Sequence, residues 1–185
     1  IHTFKWVKSL NENKVDLQLF SFIMPKKNIL DEYSQIGVKI ISPDLKSKIK
    51  NLREPNLSKL HYLKSISFLK KAIRSFNPDI MHAHYASSYG IIGMLCGFKP
   101  LILSVWGSDI YYFPYKSKLF KLLLFLVIRY ANEVCSTSIA MKELIEKEYK
   151  RFDLNVVPFG IDIKNFKPSH KKESKDFVVG TIKSI

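Results

Sequence analysis

Apolar and polar positions along the chain follow two alternating patterns. Apolar residues spaced three or four positions apart predict helices over residues 2–13, 119–130 and 139–150. Short apolar runs predict strands over residues 15–22, 38–42, 79–84, 100–106, 133–138 and 155–159. A short helix between the third and fourth strands is predicted to open with a serine cap and to close at Gly97. Strands that alternate with helices indicate a parallel sheet covered on both faces, so we predict a doubly wound α/β fold.

Both ends of the pattern depart from the usual plan of this fold. The first element is a helix, whereas doubly wound domains normally open with a strand. After Phe166 a polar, lysine-rich stretch precedes one more apolar run over residues 177–185, with no element after it to pair with. We therefore expect residues 1–166 to form a Rossmann-like domain that lacks its first strand. Residues 167–185 are expected to form a linker and the first strand of a truncated second domain.

Composition and charge narrow the class of protein. A hydrophobic content of 46% supports a packed core. The formal charge of +14 favours phosphorylated ligands, nucleic acid or an anionic membrane, without choosing among them. Residues 46–76 predict a long helix with one buried stripe and a basic face, which could lie on an anionic bilayer or simply face solvent. Residues 119–130 predict a helix buried on nearly all sides, with an in-plane membrane helix as the alternative.

Several kinds of chemistry have no support in the sequence. Cys96 and Cys135 lie in apolar surroundings, as expected of buried thiols in a reducing compartment. His82 and His84 have no second ligand pair, so no metal site is expected. The sequence has no Gly-x-Gly-x-x-Gly, phosphate-loop or Gly-x-Ser-x-Gly motif. Nucleic-acid binding rests on charge alone, without a recognisable module, and we do not expect it.

Polar clusters follow four of the predicted strands. Ligands bind open parallel sheets at the carboxyl ends of the strands, so these clusters should line one rim. After the third strand, Ser87 and Ser88 could cap the next helix, whose positive end suits a phosphate or a sugar hydroxyl. His82 and His84 point to the same face of the sheet. His84 is nearer the strand end and is the better ligand candidate, whereas His82 fits a structural role.

The cluster after the fourth strand, "VWGSD", combines three useful groups. Trp106 offers a stacking surface, Gly107 allows close backbone approach, and Asp109 can accept hydrogen bonds from sugar hydroxyls. The competing interpretation is a turn in which Ser108 or Asp109 caps the next helix. Thr137 follows the fifth strand, and "PFGID", which contains Gly160 and Asp162, follows the sixth.

In this order the motifs resemble the N-terminal domain of family-4 glycosyltransferases, which have the GT-B architecture. The resemblance rests on "IHTFKWVKSL", "PDIMHAHYASSYGIIGMLCG", "PLILSVWGSDIY", "EVCSTSIAMKELI" and above all "VVPFGIDIKNFKP", which is similar to the interdomain linker of that family. It implies a retaining transfer of a sugar from a nucleotide diphosphate sugar to a glycan or lipid-linked acceptor, with no metal or other cofactor. It also implies a cytoplasmic enzyme of surface polysaccharide or glycolipid synthesis, which could associate with the inner face of the membrane.

The resemblance also implies roles for particular residues. His84 and Asp109 become candidate catalytic groups, and Gly160 and Asp162 would lie at the hinge of the cleft. The remaining candidates would contact substrate: His82, Tyr85, Ser87, Ser88, Trp106, Gly107, Ser108 and Thr137. Many members of the family have histidine where this chain has Trp106, so a hydrogen bond from that position does not carry over. The donor-binding residues of the family lie beyond Ile185, so the chain alone is expected to be inactive.

Two other functions remain open at this point. A nucleotide-sugar epimerase of GT-B architecture would share the cleft but need no acceptor. A non-catalytic basic module would bind RNA or anionic surfaces in a salt-dependent way and would not respond to sugar nucleotides.

Overall fold

The structure of the protein is a computed structural model that describes residues 2–46 and 62–161, together with residues 163, 166 and 167. The helices are α1 (His2–Glu12), α2 (Lys27–Gln35), α3 (Ser65–Phe76), α4 (Ile91–Cys96), α5 (Ser108–Tyr111), α6 (Lys118–Tyr130) and α7 (Ile139–Tyr149). The strands are β1 (Gln18–Phe20), β2 (Lys39–Ile41), β3 (Met81–His84), β4 (Leu101–Val105), β5 (Glu133–Ser136) and β6 (Leu154–Val156).

All strand pairs in the described part of the chain are parallel. One sheet has the order β1-β2 and the other has the order β3-β4-β5-β6. Helices intervene between strands, which confirms the predicted α/β class with a Rossmann-like arrangement. Within the described residues, backbone hydrogen bonds do not join the two sheets.

The main core lies around β4. Leu101, Leu103 and Val105 alternate along this central strand, so they point to the same face of the sheet, and all three are fully buried. Leu124 and Val127 of α6 belong to the same cluster.

Helix α1 joins the two sheets. Its Val7 packs with Tyr33 of α2 and Val38 before β2, which places it over the smaller sheet. Its Trp6 meets His82 of β3 edge to face, with ring centroids 5.5 Å apart. The first turn of α1 therefore reaches the rim of the larger sheet.

Helix α4 approaches the sheet closely because glycine precedes it. A Cβ at Gly90 would lie 2.7 Å from Leu103 Cδ1 and 3.3 Å from Val127 Cγ2. The helix ends at Gly97, whose φ of 75° is left-handed, as predicted.

Some expectations need correction. No serine caps the helix after β3: residues 86–90 form a π-helical turn that runs into α4, and Ser87 and Ser88 lie inside that turn. Helix α2 falls in residues for which the sequence predicted no element. Helix α6 is not buried on nearly all sides, because Leu119 is 60% exposed and Leu122 is 52% exposed.

The basic segment is described only in part. Its last twelve residues form α3, which exposes Lys70, Lys71 and Arg74. The rest of the long helix predicted over residues 46–76 lies largely outside the described residues, as does the strand predicted over 177–185. The proposed boundary after Phe166 stays a prediction.

Candidate functional site

Aromatic side chains gather where β3 and β4 end. We call this group the rim cluster, and its members are His2, Trp6, His82, His84, Trp106 and Phe159. His84 and Trp106 follow each other around the rim, with ring centroids 5.1 Å apart, and His82 lies 4.4 Å from His84. The structure thus brings together three residues that the sequence placed on separate strand ends or on one strand face.

Hydroxyl groups hold the two histidines in position. His82 Nε2 lies 2.8 Å from the Oγ of Ser104 on β4. Thr3 Oγ1 of α1 lies 3.3 Å from Nδ1 of His84. Both contacts are to neutral hydroxyls, so neither of them places a negative charge beside an imidazolium ion.

Both histidines are uncharged at neutral pH. Burial lowers the pKa of His82 to about 4. Burial, and to a lesser degree the neighbouring His82, lowers the pKa of His84 to about 3. A base with so low a pKa accepts a proton poorly at neutral pH, so His84 is better suited to hydrogen bonding than to general base catalysis.

Tyr85 has an unusual backbone conformation at the mouth of the site. Its φ is 84°, which costs energy for a residue other than glycine and is often found at functional sites. Its hydroxyl forms a hydrogen bond with Oγ of Ser108, which is exposed at the start of α5. The two hydroxyls form a polar edge beside the rim cluster.

Asp109 lies beneath the site and is fully buried. Its Oδ2 accepts a hydrogen bond from the N–H of Ala86 at 2.8 Å. Its Oδ1 accepts from the N–H of Trp106 at 3.1 Å and from the N–H of Gly107 at 2.9 Å. One carboxylate therefore ties the turn after β3 to the turn after β4. Burial raises the pKa of this carboxyl group, and the backbone hydrogen bonds oppose that rise.

Gly107 is required by its backbone conformation. Its φ of 127° lies in the region that favours glycine, and its Cβ position is otherwise open. A larger residue here would be strained, which would move Trp106 and Ser108 on either side.

The predicted linker contacts α1. Phe159 stacks on His2 with ring centroids 3.8 Å apart, and Lys5 Nζ donates a hydrogen bond to the carbonyl oxygen of Gly160 at 3.0 Å. Gly160 thus lies beside α1 at the edge of the rim cluster, and its place at the hinge of the cleft stays a prediction. Asp162 lies outside the described residues.

The remaining candidates lie around the rim, and none of their contacts within the described residues assigns them a role. Thr137 follows Ser136, the partner of Val105 in the ladder, so it neighbours Trp106 along the rim. Ser87 and Ser88 are partly buried in the turn after β3. Within the described ranges, no group of three or more histidine, cysteine, aspartate or glutamate side chains could hold a metal ion.

Sequence reasoning missed the contribution of α1 and Phe159. His2, Thr3 and Trp6 recur along one side of α1, but local periodicity cannot show which strand that side meets. Phe159 was visible only as part of "PFGID". Contacts between residues more than a hundred positions apart left no local signal.

The fold and the rim define an α/β domain that presents aromatic and hydroxyl groups at the carboxyl ends of parallel strands. The family model described as "Glycosyl transferase 4-like" matches residues 1–138. The chain belongs to this family, which confirms the resemblance and supports a role in glycosyl transfer. No curated protein matches the chain significantly.

A solved structure shares the fold. It is described as a "putative UDP-N-acetylglucosamine 2-epimerase from Listeria monocytogenes", and it superposes with a TM-score of 0.54 at 16% sequence identity. The match covers 83% of this chain and 40% of that structure. The chain therefore spans well under half the length of this neighbour.

Proposed function

We propose that this chain forms the acceptor-side domain of a retaining glycosyltransferase. The enzyme would move a sugar from a nucleotide diphosphate sugar to a glycan or lipid-linked acceptor. The observation that carries the proposal is the rim cluster, which the Glycosyl transferase 4-like chain forms at the carboxyl ends of β3 and β4.

The rim cluster suits a carbohydrate better than an anion. Aromatic faces pack on the apolar C–H face of a sugar ring, and Trp106 is only partly buried. Hydroxyls of Tyr85 and Ser108 can exchange hydrogen bonds with sugar hydroxyls, and the neutral imidazole of His84 can do the same. These groups would bind and orient the acceptor, which lowers the entropic cost of transfer.

Asp109 has a positioning role in this proposal. Its two oxygens accept hydrogen bonds from three backbone N–H groups, and its side chain is fully buried. The proposal therefore keeps His84 as the candidate that contacts substrate and gives Asp109 the task of fixing the turns that carry Tyr85 and Trp106.

The two tryptophans provide a direct test. The chain has only Trp6 and Trp106, and both belong to the rim cluster, so intrinsic fluorescence reports this site. Titration with a panel of glycans and lipid-linked sugars should change the emission. Ser108→Ala should weaken this binding, whereas Ser67→Ala, an exposed serine of α3, should not.

Transfer itself needs a second assay. The longest available form of the protein would be incubated with uridine, guanosine and thymidine diphosphate sugars and the acceptor found by titration. Release of the nucleoside diphosphate together with a glycosylated acceptor of retained anomeric configuration supports the proposal. Product formation that is unchanged in Trp106→Ala and Ser108→Ala would show that the rim cluster is not the acceptor site.

The alternative is an epimerase, and the shared fold of the structural neighbour is the observation that favours it. The same incubation separates the two functions. Isomerisation of the sugar nucleotide with no acceptor present would support the epimerase and overturn the transferase.

A further inference from the structure

The outer face of α6 is apolar, although it faces solvent. Leu124, Val127 and Ile128 are fully buried against β4 and its neighbours. The opposite side of the helix exposes four large apolar residues, at 40–60% of their surface: Leu119, Leu122, Phe125 and Leu126. A helix on the surface of a soluble domain normally presents polar residues there. Contiguous exposed apolar surface of this kind marks an interaction site.

Aromatic and basic residues border this apolar face. Tyr111, Tyr112 and Tyr115 precede α6 and are exposed, with Tyr112 at 69%. Residues 110–131 contain four cations and no acidic residue, and the cations are Lys116, Lys118, Lys121 and Arg129. All four cations are exposed. We call the exposed residues of this segment the α6 surface.

We propose that the α6 surface docks this domain on an anionic lipid bilayer. Leucine and phenylalanine side chains would enter the boundary between headgroups and acyl chains, the tyrosines would lie at headgroup level, and the cations would contact lipid phosphates. The stems of the lysines can lie along apolar surface while their ammonium groups reach the headgroups. A face that combines apolar and cationic groups suits contact with an anionic bilayer better than it suits burial in the interior of a protein.

Charge around the surface supports an anionic partner. On the neighbouring α7, Glu148 forms an ion pair with Lys121 at 2.8 Å, in which the Lys121 side chain is exposed and the Glu148 side chain is partly buried. Lys118, Lys121, Glu148 and Tyr149 line a shallow groove with Leu122 and Phe125. Because Glu148 pairs with Lys121, the cations of the segment that remain to contact lipid phosphates are Lys116, Lys118 and Arg129.

Helix α3 is a weaker candidate for the same task. Its Lys70, Lys71 and Arg74 are exposed, but its apolar residues are buried or half-buried. An interfacial helix needs apolar side chains that enter the bilayer, and charge alone gives a contact that salt removes. Within the described residues no helix is both long and apolar enough to cross a bilayer. Helix α6 itself has 13 residues, fewer than a span needs, so the proposed contact lies in the plane of the membrane.

The test is sedimentation of the chain with vesicles. Vesicles of phosphatidylcholine alone are compared with vesicles that also contain phosphatidylglycerol, at low and high salt. We expect binding to the anionic vesicles only. Lys116→Gln with Lys118→Gln should lower the partition coefficient by roughly fivefold for each lysine, since each contributes a similar electrostatic attraction near an anionic surface.

Matched variants separate this surface from general charge and hydrophobicity. Leu119→Ser with Leu122→Ser should lower partition by about tenfold or more, because burial of leucine in the interface is lost. Ile80→Ser with Phe152→Ser changes two apolar residues of similar exposure elsewhere, and Lys70→Gln with Lys71→Gln changes two lysines of α3. The partition coefficients of both control variants should stay within about twofold of that of the unmodified chain. Thermal melts check that every variant is folded.

Several outcomes would overturn the proposal. One is no binding of the unmodified chain to anionic vesicles, and another is equal losses in the α6 and control variants. Light scattering that shows a dimer which Leu119→Ser with Leu122→Ser converts to a monomer would assign the surface to self-association instead. The assay contains no sugar nucleotide, so its result does not depend on the proposed transfer activity.

Discussion

Replacement of Asp109 by alanine should destabilise the domain severely. The carboxylate is fully buried and accepts hydrogen bonds from the backbone N–H groups of Ala86, Trp106 and Gly107 at 2.8 to 3.1 Å. Alanine removes both acceptor oxygens and leaves all three donors without their side-chain partner.

The size of the effect follows from the three donors. A buried donor left unsatisfied costs about 1–3 kcal/mol, so three of them cost on the order of 4 kcal/mol even near the lower end of that range. Total unfolding free energies of domains are about 5–15 kcal/mol. Asp109→Ala would thus remove a large share of the stability. Asp109→Asn keeps one acceptor oxygen, so its free energy of unfolding should fall by about half as much as that of Asp109→Ala.

Urea unfolding, followed by circular dichroism, measures this loss. With a denaturant slope of about 2 kcal/mol per molar, Asp109→Ala should lower the midpoint by about 2 M. The matched control is Asp79→Asn, which alters an exposed acid and should leave the midpoint unchanged. A midpoint for Asp109→Ala within about 0.5 M of the unmodified chain would refute the proposed role of these hydrogen bonds.

Two further predictions concern packing and protonation. Gly90→Ala should cost about 1–3 kcal/mol in urea unfolding, because its Cβ would lie 2.7 Å from Cδ1 of the buried Leu103. Gly93→Ala should be nearly neutral, because its Cβ would meet the flexible end of Met81 at 3.3 Å and Leu101 only at the ordinary contact distance of 3.5 Å. In the unfolded chain His82 and His84 take up protons near pH 6.5, whereas in the folded chain they do so only near pH 4 and pH 3. The free energy of unfolding should therefore be highest above pH 6.5 and fall as the pH drops below that value. Replacing both histidines by glutamine should make the free energy of unfolding less dependent on pH, by up to about 1.4 kcal/mol per pH unit for each histidine. An unchanged pH dependence would contradict the lowered pKa values.

The fold was predictable because its signals are local. Alternation of strands and amphipathic helices defines a parallel α/β domain, and the register of β3 to β6 adds little that the order of elements had not implied. Helix α2 was missed because its nine residues carry a single buried side chain, Tyr33, so the apolar stripe is too weak to recognise. The prediction that the first strand is missing stays a prediction.

The site was predictable only as far as strand ends determine it. His84, Tyr85 and Trp106 could be placed on one rim because parallel strands end at the same edge of a sheet. The role of Asp109 could not be read in the same way. A carboxylate after a glycine and a serine fits a local cap, but its bond to the N–H of Ala86 joins two loops and depends on tertiary packing.

The charge of the rim cluster limits which part of the proposed transfer reaction the cluster can assist. The chain carries a formal charge of +14, yet His82 and His84 are neutral, and Lys5 donates to the carbonyl oxygen of Gly160. A departing nucleoside diphosphate gains negative charge, which must be countered by cations or by backbone N–H groups that point at it. The rim cluster supplies aromatic faces and hydroxyls instead. If the proposed transfer is correct, residues outside the rim cluster must stabilise the diphosphate. Trp106→Ala should then leave the affinity of the longest available form of the protein for nucleoside diphosphate unchanged, and a loss of that affinity would contradict this division.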